Sequence, residues 1–268
     1  MQKIVFIGAG SMAEAMIGGF ISTNTVSERH IYVTNRTNYE RLVDLQNLYQ
    51  VNILDKMQDI ADAQLIILAM KPKDTEAAMQ GIAPYLNDKT AVISMLAGIS
   101  LATLEHGLYK RPIARVMPNT SATVGMSATG VTFNSFCSEG FKKTVTTLMQ
   151  AIGNVVEVTE DQLHSVTALS GSGPAYVYYL LEAFLDVGVE LGLSKEDVRK
   201  LMTQTIGGAA LMLQTFDTSP EELRRKVTSP NGTTEAGIRA LEEKGFKGAI
   251  AACIKAADIR SRELAQGK

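Results

Sequence analysis

The hydrophobic period of the chain changes once, near residue 160, and that change limits the folds open to it. Before it lie eight short apolar runs, at 3–7, 31–34, 50–53, 65–69, 91–95, 114–117, 130–133 and 155–158. The early runs are separated by longer stretches of helical period, the pattern of βαβ units on a mainly parallel sheet. The later runs lie closer together, which predicts one or two hairpin-like strands extending that sheet. After residue 160 the strand signal is gone. Segments at 160–170, 173–191, 195–216, 220–227, 234–244 and 247–266 read at period 3.6. The expected architecture is therefore an α/β domain over residues 1–159 followed by an all-helical domain over 160–268.

Local signals agree with these helices. Ser194 stands before Lys195-Glu196-Asp197, and Ser219 is followed by Pro220 and, three residues on, Glu222; both are helix-start patterns. Gly245 is a natural stop. Several helices are apolar over more than one face, notably 177–189 and 206–213. A small helical domain has little interior for that much apolar surface, so a homodimer built on it is expected.

With 26 basic and 28 acidic residues and a pI near 6, the chain has no electrostatic footprint for nucleic acid or an anionic membrane. A small molecule is the expected partner. Only Cys137 and Cys253 are present, without ligand-spaced neighbours, so no disulfide framework or metal site is indicated. The apolar stretch 175–193 carries Glu182, Asp186 and Glu190 along one helical face, which suits packing against protein and not lipid. No targeting segment precedes the first strand, and a cytoplasmic location is expected.

The first strand runs into Gly8-Ala9-Gly10-Ser11-Met12-Ala13 and then a helix. Gly8 permits the tight turn, Gly10 lets the backbone approach a pyrophosphate, and Ala13 is small enough for helix-on-strand contact. The helix N-terminus offers free N–H groups to phosphate. The α/β half is thus expected to be a Rossmann-type dinucleotide-binding domain. Its second strand ends in Thr34-Asn35-Arg36-Thr37 with no carboxylate to receive a 2′-hydroxyl. Arg36 can pair with a 2′-phosphate, aided by the neighbouring polar side chains, so NADPH is favoured and NADH is a weaker alternative.

Ligands of open α/β sheets sit beyond the carboxyl ends of the strands. The residues there are Ala69, Met70, Lys71 and Pro72, then Ala97 and Gly98, then Met117-Pro118-Asn119-Thr120. Lys71 fits a solvated surface charge as well as a phosphate contact. In the helical half, Leu169-Ser170-Gly171-Ser172-Gly173-Pro174-Ala175-Tyr176 and Ser229-Pro230-Asn231-Gly232-Thr233-Thr234-Glu235 are small-residue loops whose N–H groups could converge on a carboxylate. Each also fits an ordinary interhelical turn with a capping Ser or Thr. His30, His106 and His164 are scattered and read as structural.

Taken in order, Gly8-Ala9-Gly10-x-Met12, Ala69-x-Lys71-Pro72, Ala97-Gly98, Met117-x-Asn119-Thr120, the 169–176 loop and Ser229-Pro230-x-Gly232-x-Thr234 resemble the pyrroline-5-carboxylate reductase family over essentially the whole chain. The resemblance implies NADPH-dependent reduction of the ring C=N of 1-pyrroline-5-carboxylate to L-proline. It makes Thr234 the catalytic group at the ring nitrogen, with Gly232, Thr233 and Thr234 N–H groups on the substrate carboxylate and Ser170 and Ser229 at the substrate. It implies cofactor contacts at Gly8, Ala9, Gly10, Ser11, Met12, Thr34, Asn35, Arg36, Ala69, Met70, Lys71, Pro72, Ala97, Gly98 and Asn119. It further implies a helical-domain homodimer in which one subunit's cofactor meets the other's substrate loop. Asn231 and Ala13 depart from the commonest family pattern, and both are small or turn-tolerant.

Two other readings compete. A β-hydroxyacid or other imine reductase shares the architecture, but the former calls for a catalytic Lys early in the helix after the 169–173 loop, where Ala175-Tyr176-Val177-Tyr178 stands. A non-catalytic NADPH sensor would need Gly8 and Gly10 but has no use for the 229–234 loop.

Overall fold

A computed structural model describes residues 3–266. Eight strands form one sheet: β1 Ile4–Ile7, β2 Ile31–Thr34, β3 Asn52–Ile53, β4 Leu65–Leu68, β5 Ala91–Ser94, β6 Ile113–Met117, β7 Ser127–Phe133 and β8 Gly153–Glu157. Their spatial order is β3-β2-β1-β4-β5-β6-β7-β8. The first six run parallel, β7 is antiparallel to β6, and β8 is parallel to β7. All eight expected strands are present, and the antiparallel β6–β7 pair is the hairpin-like extension.

β1, β4 and β5 are buried at every residue, as uninterrupted apolar runs in a sheet covered on both faces should be. Alternate side chains feed two cores. Ile4, Phe6, Ile67 and Ile93 face one, and Val5, Ile66, Leu68 and Val92 the other. Each fully buried Ile, Leu or Phe stabilises the fold by about 1.5–3 kcal/mol. Helices α1 Ser11–Ser22, α2 Tyr39–Tyr49 and α5 Glu139–Gln150 supply residues to the first core, and α3 Thr75–Ile82 and α4 Leu101–Leu108 to the second.

Then come α6 Gln162–Val166, α7 Gly173–Glu190, α8 Lys195–Thr215, α9 Pro220–Lys226, α10 Thr233–Glu243 and α11 Phe246–Ala265. Ser194 accepts from the Asp197 N–H at 3.1 Å, and Ser219 forms a complete capping box with Glu222. Both starts match the sequence signals. Between α6 and α7, where the sequence predicts a helix ending at 170 and a small-residue turn over 169–176, the chain makes a π-helical turn, Thr167–Gly171, closed by the Ser172 N–H donating to the Thr167 carbonyl at 2.8 Å. Wide turns of this kind admit one extra residue without ending the helix.

The chain forms two compact units: residues up to Pro174 together with those from Ala257, and Ala175–Ala256. Among the described residues no helix is long and apolar enough to cross a membrane. Cys137 and Cys253 are free thiols.

Candidate active site

Because β1, β2, β4, β5 and β6 are parallel, the turns after them lie in a row at one edge of the sheet. That row contains every cofactor residue expected from the sequence. Gly8 has φ +113°, and a Cβ there would sit 2.5 Å from the Ala69 carbonyl carbon and oxygen. Only glycine fits where the β1 and β4 turns touch. The Gly8 N–H donates to the Thr34 carbonyl at 2.8 Å, fastening the same turn to β2.

Gly10 is the N-cap of α1 and makes no side-chain cap. A Cβ on it would meet nothing within 4 Å. The first N–H groups of α1 thus face open space at the positive end of a helix, which is what a diphosphate requires. The residues present fit a dinucleotide.

Sequence reasoning missed the group that holds this turn. Arg41 on α2 donates through Nε to the Ala9 carbonyl at 3.0 Å and pairs through Nη2 with Glu14 on α1. Tyr49 Oη donates to the other Glu14 oxygen at 3.4 Å. No local pattern marks Arg41; its partners are 27 and 32 positions away.

After β2, Asn35 and Asn38 exchange hydrogen bonds, Asn35 Nδ2 to the Asn38 carbonyl at 2.7 Å and the Asn38 N–H to Asn35 Oδ1 at 3.0 Å. Asn38 Oδ1 also accepts from the Arg41 N–H at 3.0 Å and so caps α2. Thr34 is half-buried. Arg36 is exposed, its Nη1 3.1 Å from Asp74 Oδ1. Of the turn after β4, Ala69 and Met70 are half-buried while Lys71 and Pro72 are exposed.

Gly98 has φ +75° and lies against the backbone of Leu264 and Ala265 near the end of α11. The next helix, α4, is fully capped: Ser100 Oγ accepts from the Thr103 N–H at 3.0 Å, and Glu160 Oε1 accepts from the Leu101 N–H at 2.6 Å. The same Glu160 oxygen accepts from Arg115 Nη1 at 2.6 Å, neutralising a guanidinium buried in β6. Glu160 is thus a structural residue that sequence reading passed over.

Asn119 is buried, and both ends of its side chain are engaged. Nδ2 donates to the Ser170 carbonyl at 2.9 Å, and Oδ1 accepts from the Ser121 N–H at 3.1 Å. Ser170 Oγ donates to the Val166 carbonyl at 3.1 Å and the Ala128 carbonyl at 3.2 Å. Ser170 therefore belongs to the compact unit that carries the cofactor row.

Ser229 and Gly232 lie in the other unit between α9 and α10, and Thr233 and Thr234 are the first two residues of α10. Gly232 is the N-cap of α10, with no side-chain cap. Asn231 has φ +59° and is held there by its N–H donating to Glu235 Oε2 at 2.7 Å. Thr234 is exposed and its hydroxyl has no partner among the described residues. An uncapped helix start beside a free hydroxyl can bind a carboxylate and donate one hydrogen bond.

His164 is not at the row's turns. Its Nδ1 is 2.9 Å from Ser261 Oγ. Burial, then the guanidinium groups of Arg262 and Arg115, hold its imidazole below the ordinary histidine value.

Comparison with known proteins agrees with this geometry. Residues 160–264 match the family model described as pyrroline-5-carboxylate reductase dimerisation, and residues 3–98 match one described as NADP oxidoreductase coenzyme F420-dependent. Pyrroline-5-carboxylate reductase 2 of Bacillus subtilis is 44% identical over 98% of this chain and 95% of its own length. The structure of a pyrroline-5-carboxylate reductase from Coxiella burnetii superposes with a TM-score of 0.92 at 35% identity, covering 98% of each chain. A Plasmodium falciparum pyrroline carboxylate reductase solved with NADP bound gives a TM-score of 0.85 at 28% identity, again over 98% of each chain. With its dinucleotide row, its uncapped α10 start and full-length relatives of this kind, the chain belongs to the pyrroline-5-carboxylate reductase family.

Proposed function

We propose that this protein reduces the ring C=N bond of 1-pyrroline-5-carboxylate to give L-proline, the last step of proline biosynthesis. NADPH, when bound, supplies the hydride, and NADH serves less well. Gly8, Ala9, Gly10, Ser11 and Met12 receive the diphosphate at the start of α1. Thr34, Asn35 and Arg36 surround the 2′-phosphate, and Ala69, Met70, Lys71 and Pro72 border the adenosine side. Ala97 borders the nicotinamide ring, with Gly98 turning the chain beside it against the end of α11, while Asn119 keeps the turn after β6 in place.

At the start of α10 the N–H groups of Gly232, Thr233 and Thr234 hold the substrate carboxylate, with Ser229 beside them. Thr234 Oγ sits at the ring nitrogen and donates to it. An iminium is far more electrophilic than an imine, so a donor at that nitrogen lowers the barrier as the carbon is reduced.

The observation that carries this reading is the N-terminus of α10, uncapped and beside the unpartnered Thr234 hydroxyl, in a chain whose relatives are reductases of this family. α7 opens Gly173-Pro174-Ala175-Tyr176, without the Lys that a β-hydroxyacid reductase would place there. A sensor with no catalytic role has no need of the α10 loop.

A second copy of the chain completes the molecule. In Ala175–Ala256 only Val198 is a buried apolar residue, while Tyr179 and Leu191 are 77% and 78% exposed. Apolar surface on that scale marks a protein interface. The free thiols fit a reducing compartment, and the cytoplasm is where we place the enzyme.

Purified protein given NADPH should oxidise it on addition of pyrroline-5-carboxylate, and not with 3-hydroxyacid precursors, followed by absorbance. No turnover at saturating cofactor would remove the enzymatic reading.

A further inference from the structure

Arg36 and Asp74 stand on either side of β1. Arg36 follows β2, and Asp74 ends the 3-10 turn Pro72–Asp74 that follows β4; β2 and β4 are the two neighbours of β1 in the sheet. Their ion pair, 3.1 Å between Nη1 and Oδ1, therefore spans the outlet of the Gly8-Ala9-Gly10 turn. The Arg36 side chain is 73% exposed and that of Asp74 29%. Asp74 also occupies the N-cap position of α3, where an aspartate ordinarily accepts from its own helix, yet it makes no such bond. Its carboxylate is turned toward Arg36 instead.

We propose that Asp74 is a specificity-determining residue for the 2′-position of the cofactor, competing with the 2′-phosphate for Arg36. This rests on Arg36 being the phosphate's partner. When the ligand has a 2′-hydroxyl, Arg36 keeps Asp74 and the two charges cancel. When it has a 2′-phosphate, the guanidinium transfers to the phosphate oxygens, and Asp74 is released to solvent. Breaking the pair offsets part of the gain from the new contact, so discrimination against the 2′-hydroxyl is narrower than Arg36 alone would set.

The test uses two probes that differ only in the 2′-phosphate, adenosine 2′,5′-bisphosphate and 5′-AMP, titrated calorimetrically into the whole protein. Exposed ion pairs are weak, so Asp74→Asn should tighten the bisphosphate by about two- to fivefold and leave the affinity for 5′-AMP nearly where it was. Arg36→Ala should weaken the bisphosphate by about tenfold or more, the usual effect of losing a charged hydrogen bond. Adding Asp74→Asn to Arg36→Ala should then change nothing, because the aspartate acts through the arginine. Asp74→Ser, which keeps a capping side chain, should reproduce Asp74→Asn if the amide variant folds poorly. Unchanged or weaker bisphosphate binding in the Asp74 variants would overturn the proposal, as would an equal gain in the Arg36→Ala background. If Arg36→Ala itself binds the bisphosphate as tightly as the parent, the phosphate assignment fails and this proposal falls with it. Failure of the Asp74 variants alone leaves that assignment standing.

Discussion

Asn119 donates to the carbonyl oxygen of Ser170 at 2.9 Å, joining the turn after β6 to the π turn between α6 and α7. The same side chain accepts from the Ser121 N–H, and the Asn119 N–H donates to Ser127 Oγ at 3.0 Å. Asn119→Ala leaves two main-chain groups without these partners and should destabilise the protein by about 1–3 kcal/mol. Asn119→Asp should be no better, since a carboxylate faces the Ser170 carbonyl. A denaturant midpoint equal to the parent's in Asn119→Ala would contradict this account.

Gly8 and Gly10 should respond in opposite ways to the same methyl group. Gly8→Ala drives a Cβ to 2.5 Å from the Ala69 carbonyl at φ +113° and should cost about 3 kcal/mol or more of stability. Gly10→Ala meets no protein atom within 4 Å, at φ −76°, which any residue adopts. It should unfold like the parent yet bind NADPH at least about tenfold more weakly, because its methyl occupies the approach of the diphosphate. Thermal unfolding and cofactor titration separate the two; a stable Gly8→Ala or a tight-binding Gly10→Ala would refute the assignment.

Thr234 is exposed, so Thr234→Ala should change stability by no more than about 0.5 kcal/mol. Its kcat should fall by about 100-fold, the lower range for loss of a positioned proton donor, with NADPH affinity kept. Thr234→Ser should recover most of the rate. Equal losses in rate and cofactor binding would make the loop structural.

Stability should rise with pH through the titration of His164. Its folded pKa lies below the unfolded value of about 6.5, so between the two the unfolded chain binds the extra proton. The contribution is complete above the unfolded pKa and is lost as pH falls through the folded one. Arg262, by hydrogen bonding, holds the Asp161 and Asp258 carboxyls below their usual range. Their contribution is complete above about pH 3.9 and is lost at still lower pH. In His164→Gln the midpoint temperature should lose the rise that the parent shows as pH climbs toward the unfolded value of about 6.5. An identical pH profile in that variant would show that another group is responsible.

The sequence revealed what depends on local pattern. Ile4–Ile7 and Leu65–Leu68 are uninterrupted apolar runs, and Gly8 and Gly10 follow the first directly, so strand, turn and helix start are all written within a dozen residues. Arg41, Glu160 and Asp74 were not legible because each acts through a partner distant in the chain, and a charged residue with a distant partner looks the same as a solvated one. The π turn was also hidden. Its hydrogen bond skips one residue more than an α-helix does, and the small residues 170–173 resemble a loop in a one-dimensional reading.

Four helices begin along the cofactor row with their termini in different states. Asn38 caps α2, Ser100 and Glu160 close off α4, Asp74 stands at the start of α3 without capping it, and α1 starts from a glycine with no side chain to offer. Of the four, only α1 begins with neither a side-chain cap nor a carboxylate at its first position, so a doubly charged diphosphate meets no competing side chain there. The row works as a keyed slot. Glu160, its oxygen already shared between the Leu101 N–H and the Arg115 guanidinium, fills the α4 start in advance and leaves that end nothing to offer a phosphate.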